Sequence, residues 1–314
     1  DYGAAMQERS AGYLAAPAAY LLWGLLPLYW QPLNHIPAMA ILSYRIAFSF
    51  VFSAGTILMI QLFVRIRRKS GSLPGQRPFG FSGLNGPRLK PTLLAAALIG
   101  VNWFTYIWSV VNGFTLEASL GYFLTPMVNL LFGIIFLKER PGPVRTVALG
   151  ISVLAVAILT INYGRPPIIA LTLAFSFGTY GFVKKRSGLD ALTGMAFETG
   201  WLLLPALGIM LFGGAGGYLF RGPVLQRSML ILAGPVTLAP LLLFASAAKR
   251  IPLYALGFFQ YIAPSLMFLL GWLVFGEEVS SIRLLAFSLV WVALVIFSAS
   301  VILQRRKVPA AVAQ

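Results

Sequence analysis

Ten long apolar runs dominate this sequence and restrict the structures that it can adopt. They lie between charged or Gly/Pro-rich breaks, at approximately 12–31, 39–64, 92–112, 117–137, 144–162, 167–183, 194–213, 229–248, 253–275 and 283–303. A helix needs about 20 apolar residues to cross a bilayer, whereas a strand of a membrane barrel has about 10 residues of alternating polarity. The runs therefore predict an all-α integral membrane protein with ten transmembrane helices. Because 59% of the residues are hydrophobic and only 10% are charged, a soluble domain is excluded.

The Lys and Arg residues are concentrated on one side of the predicted membrane. If the N-terminus is cytoplasmic, 19 of the 24 cationic residues fall in cytoplasmic segments. Four fall outside, namely Arg165, Arg221, Arg227 and Arg283. Since cytoplasmic loops retain Lys and Arg, we expect both termini to be cytoplasmic. The net charge of +16 then reflects topology and contact with anionic membrane lipids, and nucleic-acid binding is not expected.

Two hydrophilic segments are predicted to lie in the cytoplasm. Residues 65–91 are basic and rich in Gly, Pro and Ser, which indicates a mobile loop rather than a domain. Residues 304–314 are predicted to form a cytoplasmic tail. The sequence contains no Gly-x-x-x-x-Gly-Lys phosphate-binding motif, so we do not expect ATP to drive transport by this chain, and no cofactor is predicted.

The two halves of the sequence resemble each other. When residues 116–140 are aligned with residues 254–278, the matched pairs are Pro126 with Pro264, Leu131 with Leu269, Gly133 with Gly271 and Glu139 with Glu277. Residues 12–162 and 167–303 would then form two five-helix repeats. An odd number of spans in each half turns the second half upside down relative to the first. The sequence therefore predicts the inverted repeats of secondary transporters, whose substrate sites lie near the bilayer midplane.

Several segments resemble the EamA family of the drug/metabolite transporter superfamily, and more closely its RarD-like branch. The most specific are EASLGYF at residues 117–123 and GFFQYI at residues 257–262, and Asn102-Trp103 and residues 167–180 add to them. The resemblance extends over nearly the whole chain. It implies ten helices, two EamA repeats and the export of small molecules.

Arg45 and Glu198 are charged residues inside predicted spans, where charge is costly and usually faces a cavity or a partner. Arg45 is a candidate anchor for an anionic or carboxylate-bearing substrate; the alternative is an arginine that reaches the headgroups for structural reasons. Glu198 is a candidate proton-coupling group or inner gate, and the alternative is a hydrogen-bonded structural carboxylate. Near the start of each half, aligning Trp23-Gly24 with Phe177-Gly178, an offset of 154 residues, places Glu198 opposite Tyr44. We therefore expect the two charges to differ in depth by about 10–15 Å and to face one watery cavity.

Polar, aromatic and proline residues near the middle of other spans are further candidates for the substrate site. Amides are expensive in lipid, and aromatic rings can stack on a metabolite, although each aromatic residue can equally serve helix packing. The predicted lining residues are Asn102, Trp103, Tyr122, Asn129, Gln260 and Tyr261, and the predicted helix breaks are Pro126 and Pro264. Acidic residues at the ends of spans are predicted to be helix caps or headgroup-level charges, with a gate as the alternative, namely Glu117, Glu139, Glu277 and Glu278.

The sequence favours a transporter over an enzyme. His35 stands alone in an outer loop, and the chain has no Cys and only eight acidic residues, so neither a metal site nor a catalytic cluster is expected. We predict a multi-pass protein of a bacterial-type inner membrane that exports a small-molecule substrate by alternating access, with protons as a candidate coupling ion. An importer of the same fold and a non-transporting enzyme or assembly factor are the alternatives. Substrate identity and oligomeric state are left open.

Overall fold

The computed structural model describes residues 2–69, 86–138, 142–187, 189–248, 250–251 and 259–306. The regular secondary structure of these residues is helical throughout. In chain order the helices are α1 (Tyr2–Trp30), α2 (Ala38–Lys69), α3 (Gly86–Val111), α4 (Thr115–Leu137), α5 (Pro143–Tyr163), α6 (Ile168–Ser187), α7 (Ala191–Phe212), α8 (Gly217–Arg221), α9 (Val224–Ala248), α10 (Ile262–Leu269) and α11 (Ser281–Arg306). A short 3₁₀ turn at Gln31–Leu33 follows α1.

Eight helices in the described ranges are long and apolar enough to cross a membrane. They are α1 to α5, α7, α9 and α11. Two shorter apolar stretches, Ile168–Lys184 in α6 and Ile262–Val274 from α10 onward, stand at the positions of the sixth and ninth predicted spans. The chain is thus an all-helical integral membrane protein, and the count of ten crossings stays a prediction.

Several helices extend beyond the apolar runs that predict them. The predicted loop at 65–91 is helical at both ends, because α2 continues to Lys69 and α3 begins at Gly86. A helix satisfies its own backbone hydrogen bonds, and the long stems of Lys and Arg can lie on apolar surface while their charges reach water. The middle of this loop, residues 70–85, and most of the predicted tail lie outside the described residues.

The ninth predicted span differs from the continuous helix expected over residues 253–275. Helix α10 begins at Ile262, so Pro264 lies in its first turn and not in the middle of the described helix. Proline is tolerated there because the first amides of a helix have no partner within it. The helix then widens into a π-helical turn at Leu270–Val274, where the amide of Phe275 donates to the carbonyl of Leu270 at 2.8 Å. Residues 252–258 lie outside the described residues.

The chain divides into two compact units that do not coincide with the two halves of the sequence. Unit 1 comprises Asp1–Pro27, Asn112–Gly178 and Ala247–Gln314, and unit 2 comprises Leu28–Val111 and Thr179–Ser246. Each unit therefore combines helices from both predicted repeats.

Unit 1 has an aromatic core between α4, α5, α10 and α11. The ring centroids of Phe268 and Phe287 are 4.6 Å apart, and Phe123 and Trp291 pack edge-on against them. Gly121 allows α4 to approach α6 closely, because a Cβ at this position would lie 2.7 Å from the carbonyl oxygen of Ala170. Small residues at such crossings are typical of helix packing in membranes.

Unit 2 is built around α2, which packs against α7, α3 and α9. Phe50 of α2 lies against Gly200 of α7, while the earlier residue Tyr44 hydrogen-bonds to Ala215, which follows the end of α7. Residue numbers thus rise along α2 as they fall along α7, and the two helices are antiparallel. This arrangement places Arg45 and Glu198 toward opposite ends of unit 2.

Candidate functional site

The guanidinium of Arg45 lies over two indole rings of unit 2. Its Cζ atom lies 4.1 Å from the ring centroid of Trp103 and 5.4 Å from that of Trp30. Its Nε donates a hydrogen bond to Thr237 Oγ1 at 3.0 Å. Arg45 is only 3% exposed, so its charge does not point at lipid tails. A planar, weakly hydrated guanidinium suits this stacked environment better than an ammonium would.

Hydrogen bonds connect the end of unit 2 that contains Arg45. The hydroxyl of Tyr44 donates to the carbonyl of Ala215 at 2.6 Å and accepts from the amide of Leu219 at 3.2 Å. His35 Nε2 lies 2.9 Å from Gln226 Oε1. The chain segments before α2 and after α7 are therefore held against the helices next to Arg45.

Glu198 of α7 forms an ion pair with a lysine that the sequence pattern places in a cytoplasmic loop. Lys184 Nζ donates to the two carboxylate oxygens at 3.0 and 3.1 Å. Tyr180 donates its hydroxyl proton to Glu198 Oε2 at 2.9 Å and in turn accepts from Lys184 Nζ. Glu198 is 4% exposed. The carboxylate is therefore buried with a cation and a phenol, as buried charges require.

Sequence reasoning missed this triad because α6 continues past the end of its apolar run. The signal available in the sequence is the spacing of Tyr180 and Lys184, which lie one turn apart on the same face of a helix. Gly194 of α7 faces this lysine, and a Cβ there would be in ordinary van der Waals contact with Lys184 Cε and Nζ, at 3.4 Å.

Arg45 and Glu198 are separated along the axes of α2 and α7. Arg45 precedes Phe50 by five residues, and Glu198 precedes Gly200 by two, in helices of opposite direction. With 1.5 Å per residue, the two charges are ~10 Å apart along the helix axes. They do not form an ion pair with each other.

The structure places the other predicted lining residues in two groups. Asn102 and Trp103 lie on α3 in unit 2, where Asn102 is buried and Trp103 contacts Arg45. Tyr122, Asn129, Gln260 and Tyr261 belong to unit 1.

In unit 1 these residues make local contacts. Tyr122 packs edge-on against Phe177, and Tyr261 packs against the aromatic core of unit 1. Asn129 is exposed on α4.

The two predicted helix breaks differ in their surroundings. Pro126 is buried within α4, and the carbonyl of Pro264 accepts a hydrogen bond from Ser119 Oγ at 2.9 Å.

Two of the acidic residues predicted to cap helices do so. The carboxylate of Glu277 accepts from the amides of Thr115 and Leu116, at 2.6 and 2.9 Å, at the start of α4. Glu117 accepts from the amide of Ile169 at 3.0 Å, at the start of α6. The capping prediction is confirmed for Glu117 and Glu277, whereas Glu139 lies outside the described residues.

A cavity of about 280 Å³ opens at the end of unit 2 near Tyr44. Its lining residues are Gly214, Gly217, Tyr218, Arg221, Gly222 and Gln226. The sequence pattern did not indicate this cavity, because it forms where α8 and its flanking turns meet the start of α9. In the described part of the chain, no group of His, Asp and Glu residues could hold a metal ion.

Apolar helices of membrane-spanning length with buried charges inside them define a polytopic integral membrane protein. Comparison with known proteins narrows this class. The sequence profile of the EamA-like transporter family matches residues 10–161. The chain belongs to the EamA-like transporter family and to its RarD-like members, and it is a multi-pass transporter of the bacterial inner membrane.

The relatives match the chain over nearly its whole length. The uncharacterized transporter YojE of Bacillus subtilis is 42% identical, with 95% of this chain and 97% of YojE covered. Protein RarD of Streptomyces exfoliatus is 43% identical (94% and 90% covered), and protein RarD of Escherichia coli is 40% identical (96% and 98% covered). A solved crystal structure shares the fold, with a TM-score of 0.56 at 20% identity and coverage of 92% and 97%. These names indicate transporters rather than enzymes.

Proposed function

We propose that the protein exports small organic solutes by secondary active transport, through alternating access of two inverted five-helix halves. One observation carries the proposal: a chain related to a transporter over 95% of its length holds two buried charges inside spanning helices, Arg45 and Glu198. Such charges are costly in a bilayer and mark substrate or ion pathways. An ATP-driven mechanism has no support in the sequence.

The packing of equivalent helices supports the inverted-repeat arrangement. Helix α2 packs against α7, α5 against α11 and α4 against α10. In each pair, one helix comes from the first half and the other stands at the corresponding place of the second half. Pairing of this kind is what two intertwined repeats related by a local two-fold axis would produce.

We assign Arg45 as the anchor for a negatively charged group of the substrate. Its guanidinium lies over the rings of Trp30 and Trp103, and its Nε donates to Thr237. A guanidinium can bind a carboxylate or phosphate through two parallel hydrogen bonds. The indoles stabilise the cation without neutralising its charge.

We assign Glu198 as a coupling or gating group near the cytoplasmic end. Its carboxylate is occupied by Lys184 and Tyr180 in this conformation. A proton or a cationic group that takes the place of the ammonium would release α6 from α7 at this point. The ion pair thus offers a reversible connection between two helices, which alternating access requires.

Reconstitution in proteoliposomes tests the function. Purified protein would be assayed for flux of labelled amino acids, amines and chloramphenicol under imposed proton or solute gradients. Chloramphenicol is included because a 27% identical relative from Pseudomonas aeruginosa is named chloramphenicol-sensitive protein RarD. We expect saturable outward flux of at least one solute.

Variants then test the two assigned residues. We expect Arg45→Lys to lower flux at least tenfold, because an ammonium keeps the charge but loses the bidentate edge. Glu198→Gln should lower flux and flatten its pH dependence, whereas Glu278→Gln, which changes an exposed carboxylate in the loop before α11, should change neither. Absence of flux for every solute contradicts the function, inward-only flux contradicts export, and an unchanged pH profile in Glu198→Gln removes the coupling role.

A further inference from the structure

The two ends of unit 2 differ sharply in their acidic residues. Residues 28–111 and 179–246, which make up this unit, contain only two acids, Asp190 and Glu198. Asp190 caps the start of α7 by accepting from two backbone amides, at 3.0 and 3.1 Å, and Glu198 pairs with Lys184 two turns further on. The opposite end of unit 2 therefore has no carboxylate of its own.

The cavity lined by Tyr218, Arg221 and Gln226 lies at this acid-free end. Arg221 supplies the positive charge of this lining, and Tyr218 lies beside it. Gln226 forms the fixed wall, because its amide donates to the carbonyl of Tyr218 at 2.8 Å while its oxygen faces His35. Arg227 is adjacent in sequence and adds a second cation at the same end.

The backbone around the cavity is held in place by specific contacts. The hydroxyl of Tyr44 connects the residues before and within α8, the short helix that carries Arg221. Gly222 has no room for a Cβ, which would lie 2.2 Å from Gln226 Nε2 and 2.6 Å from the carbonyl oxygen of Tyr218. Gly214 has a φ of +73°, which favours glycine. Arg221 is thus presented from a defined turn, although its own side chain is exposed.

In unit 1, Arg165 and Arg283 have an acidic residue of their own unit nearby. Arg165 and Arg283 both interact electrostatically with Glu117, and Arg283 Nη1 also donates to the carbonyl of Glu278 at 2.7 Å. The distribution of cations predicts that Arg221 and Arg227 lie on the outer side of the membrane, where Lys and Arg are disfavoured. Their end of unit 2 has no acidic residue, so we expect a ligand to provide the negative charge.

We infer that this cavity binds a small organic anion through a carboxylate or phosphate group, with Arg221 as its principal ligand. Its volume of about 280 Å³ is just below the range of roughly 300–1,000 Å³ found for drug-sized ligands, so it suits a small metabolite or a headgroup. The inference rests on the proposed export function, within which the cavity is the outer release site. An inside-negative membrane potential would drive such an anion outward.

Ligand-induced stabilisation of the full-length protein tests the site. The protein would be placed in nanodiscs of zwitterionic phosphatidylcholine, and its Tm measured with benzoate, glycerol 3-phosphate or the uncharged analogue benzamide. We expect the two anions to raise Tm in a saturable manner and benzamide to have no effect, because a ligand that binds only the folded state stabilises it. The apparent Kd for the anions should rise at least tenfold in Arg221→Gln and stay unchanged in Arg165→Gln, the matched exposed arginine of unit 1.

Lipid composition distinguishes the two sources of the anionic group. In nanodiscs that contain phosphatidylglycerol, a headgroup occupant would stabilise wild type but not Arg221→Gln and would remove the response to added benzoate. That result supports the site and identifies a lipid as its ligand. Equal responses to benzoate in wild type and Arg221→Gln, or equal responses to benzoate and benzamide, would overturn the proposal.

Flux measurements separate this inference from the proposed function. If the protein exports a neutral or cationic solute at the same rate in wild type and Arg221→Gln, and Arg221→Gln leaves anion binding unchanged, the exporter stands and the anion site is wrong. If anions bind in an Arg221-dependent manner but no solute crosses the membrane, the site stands and the proposed transport fails.

Discussion

At the scale of single residues, the two buried charges of unit 2 are accommodated by different chemistry. The Arg45 guanidinium lies over the rings of Trp30 and Trp103, so the electron-rich faces of aromatic rings take the place of water. Glu198 instead has a cation and a phenol within hydrogen-bonding distance. Placing either charge at the middle of a lipid-exposed helix would cost at least about 2.5–3.5 kcal/mol. The partners therefore matter to folding.

The Lys184–Glu198 ion pair is expected to stabilise the folded protein. Removing either member leaves the other charge buried without its counterion. Breaking a fully buried pair costs about 3–5 kcal/mol; since the side chain of Lys184 is 19% exposed, we expect about 1–3 kcal/mol for Glu198→Gln or Lys184→Met. The double variant should lose less than the sum of the single variants. Unfolding in mixed detergent micelles, followed by circular dichroism, would measure these values.

A matched carboxylate provides the control for this cycle. Glu278→Gln should leave the free energy of unfolding within about 0.5 kcal/mol of wild type, as is usual for exposed substitutions. Strict additivity of Glu198→Gln and Lys184→Met would show that the two side chains are not energetically coupled, contrary to the geometry described for them.

At the scale of helices, close approach in unit 2 depends on glycines at crossings. Gly234 of α9 lies directly over the backbone of α2, since a Cβ there would be 2.5 Å from the carbonyl oxygen of Phe48. The same crossing sets the level at which Thr237, one turn further along α9, meets Arg45. Without a hydrophobic driving force between helices in lipid, such van der Waals packing is a principal source of helix association.

Gly234→Ala should therefore destabilise the protein and disturb Arg45. The added methyl group meets backbone, which cannot rotate away, so we expect a loss of about 1–3 kcal/mol. Gly208→Ala is the matched control, because Gly208 of α7 has open space around the position of a Cβ. There the higher helix propensity of Ala predicts no loss and up to about 1 kcal/mol of gain. Equal thermal stability of the two variants would contradict the close contact.

At the scale of the whole molecule, the number of membrane crossings is the main prediction still to be tested. α6 and α10 are shorter than the other apolar helices, and the inverted repeat requires both to be part of complete crossings. The charge distribution predicts that residues 165 and 278 lie outside and residues 189 and 250 inside. The sequence contains no Cys, so single-cysteine variants need no background substitution.

Labelling of intact cells with a membrane-impermeant maleimide tests this topology. Arg165→Cys and Glu278→Cys should react in intact cells, whereas Leu189→Cys and Arg250→Cys should react only after permeabilisation. Reaction of residue 189 from outside would mean that α6 does not cross. Reaction of residue 250 from outside would contradict a crossing between residues 250 and 278, and with it the ten-span arrangement.

Much of the architecture could be read from the sequence, because membrane insertion depends on local properties. The length of each apolar run predicts a spanning helix, and the family resemblance over nearly the whole chain is confirmed by the relatives. Helix caps such as Glu277 could be anticipated, because an acidic residue at a span end suits the amides that begin a helix. These inferences require only residues close together in the chain.

The contacts that give the site its chemistry were decided by tertiary structure. Arg45 and Thr237 are 192 residues apart in the chain, and no local pattern indicates that they meet. The cavity near Arg221 likewise exists only because Tyr44 of a distant helix holds the turns around α8. Apolar periodicity specifies that a helix enters the bilayer, but in lipid every apolar face is equally acceptable. Steric fit at glycines and the pairing of buried charges then decide which helices pack together.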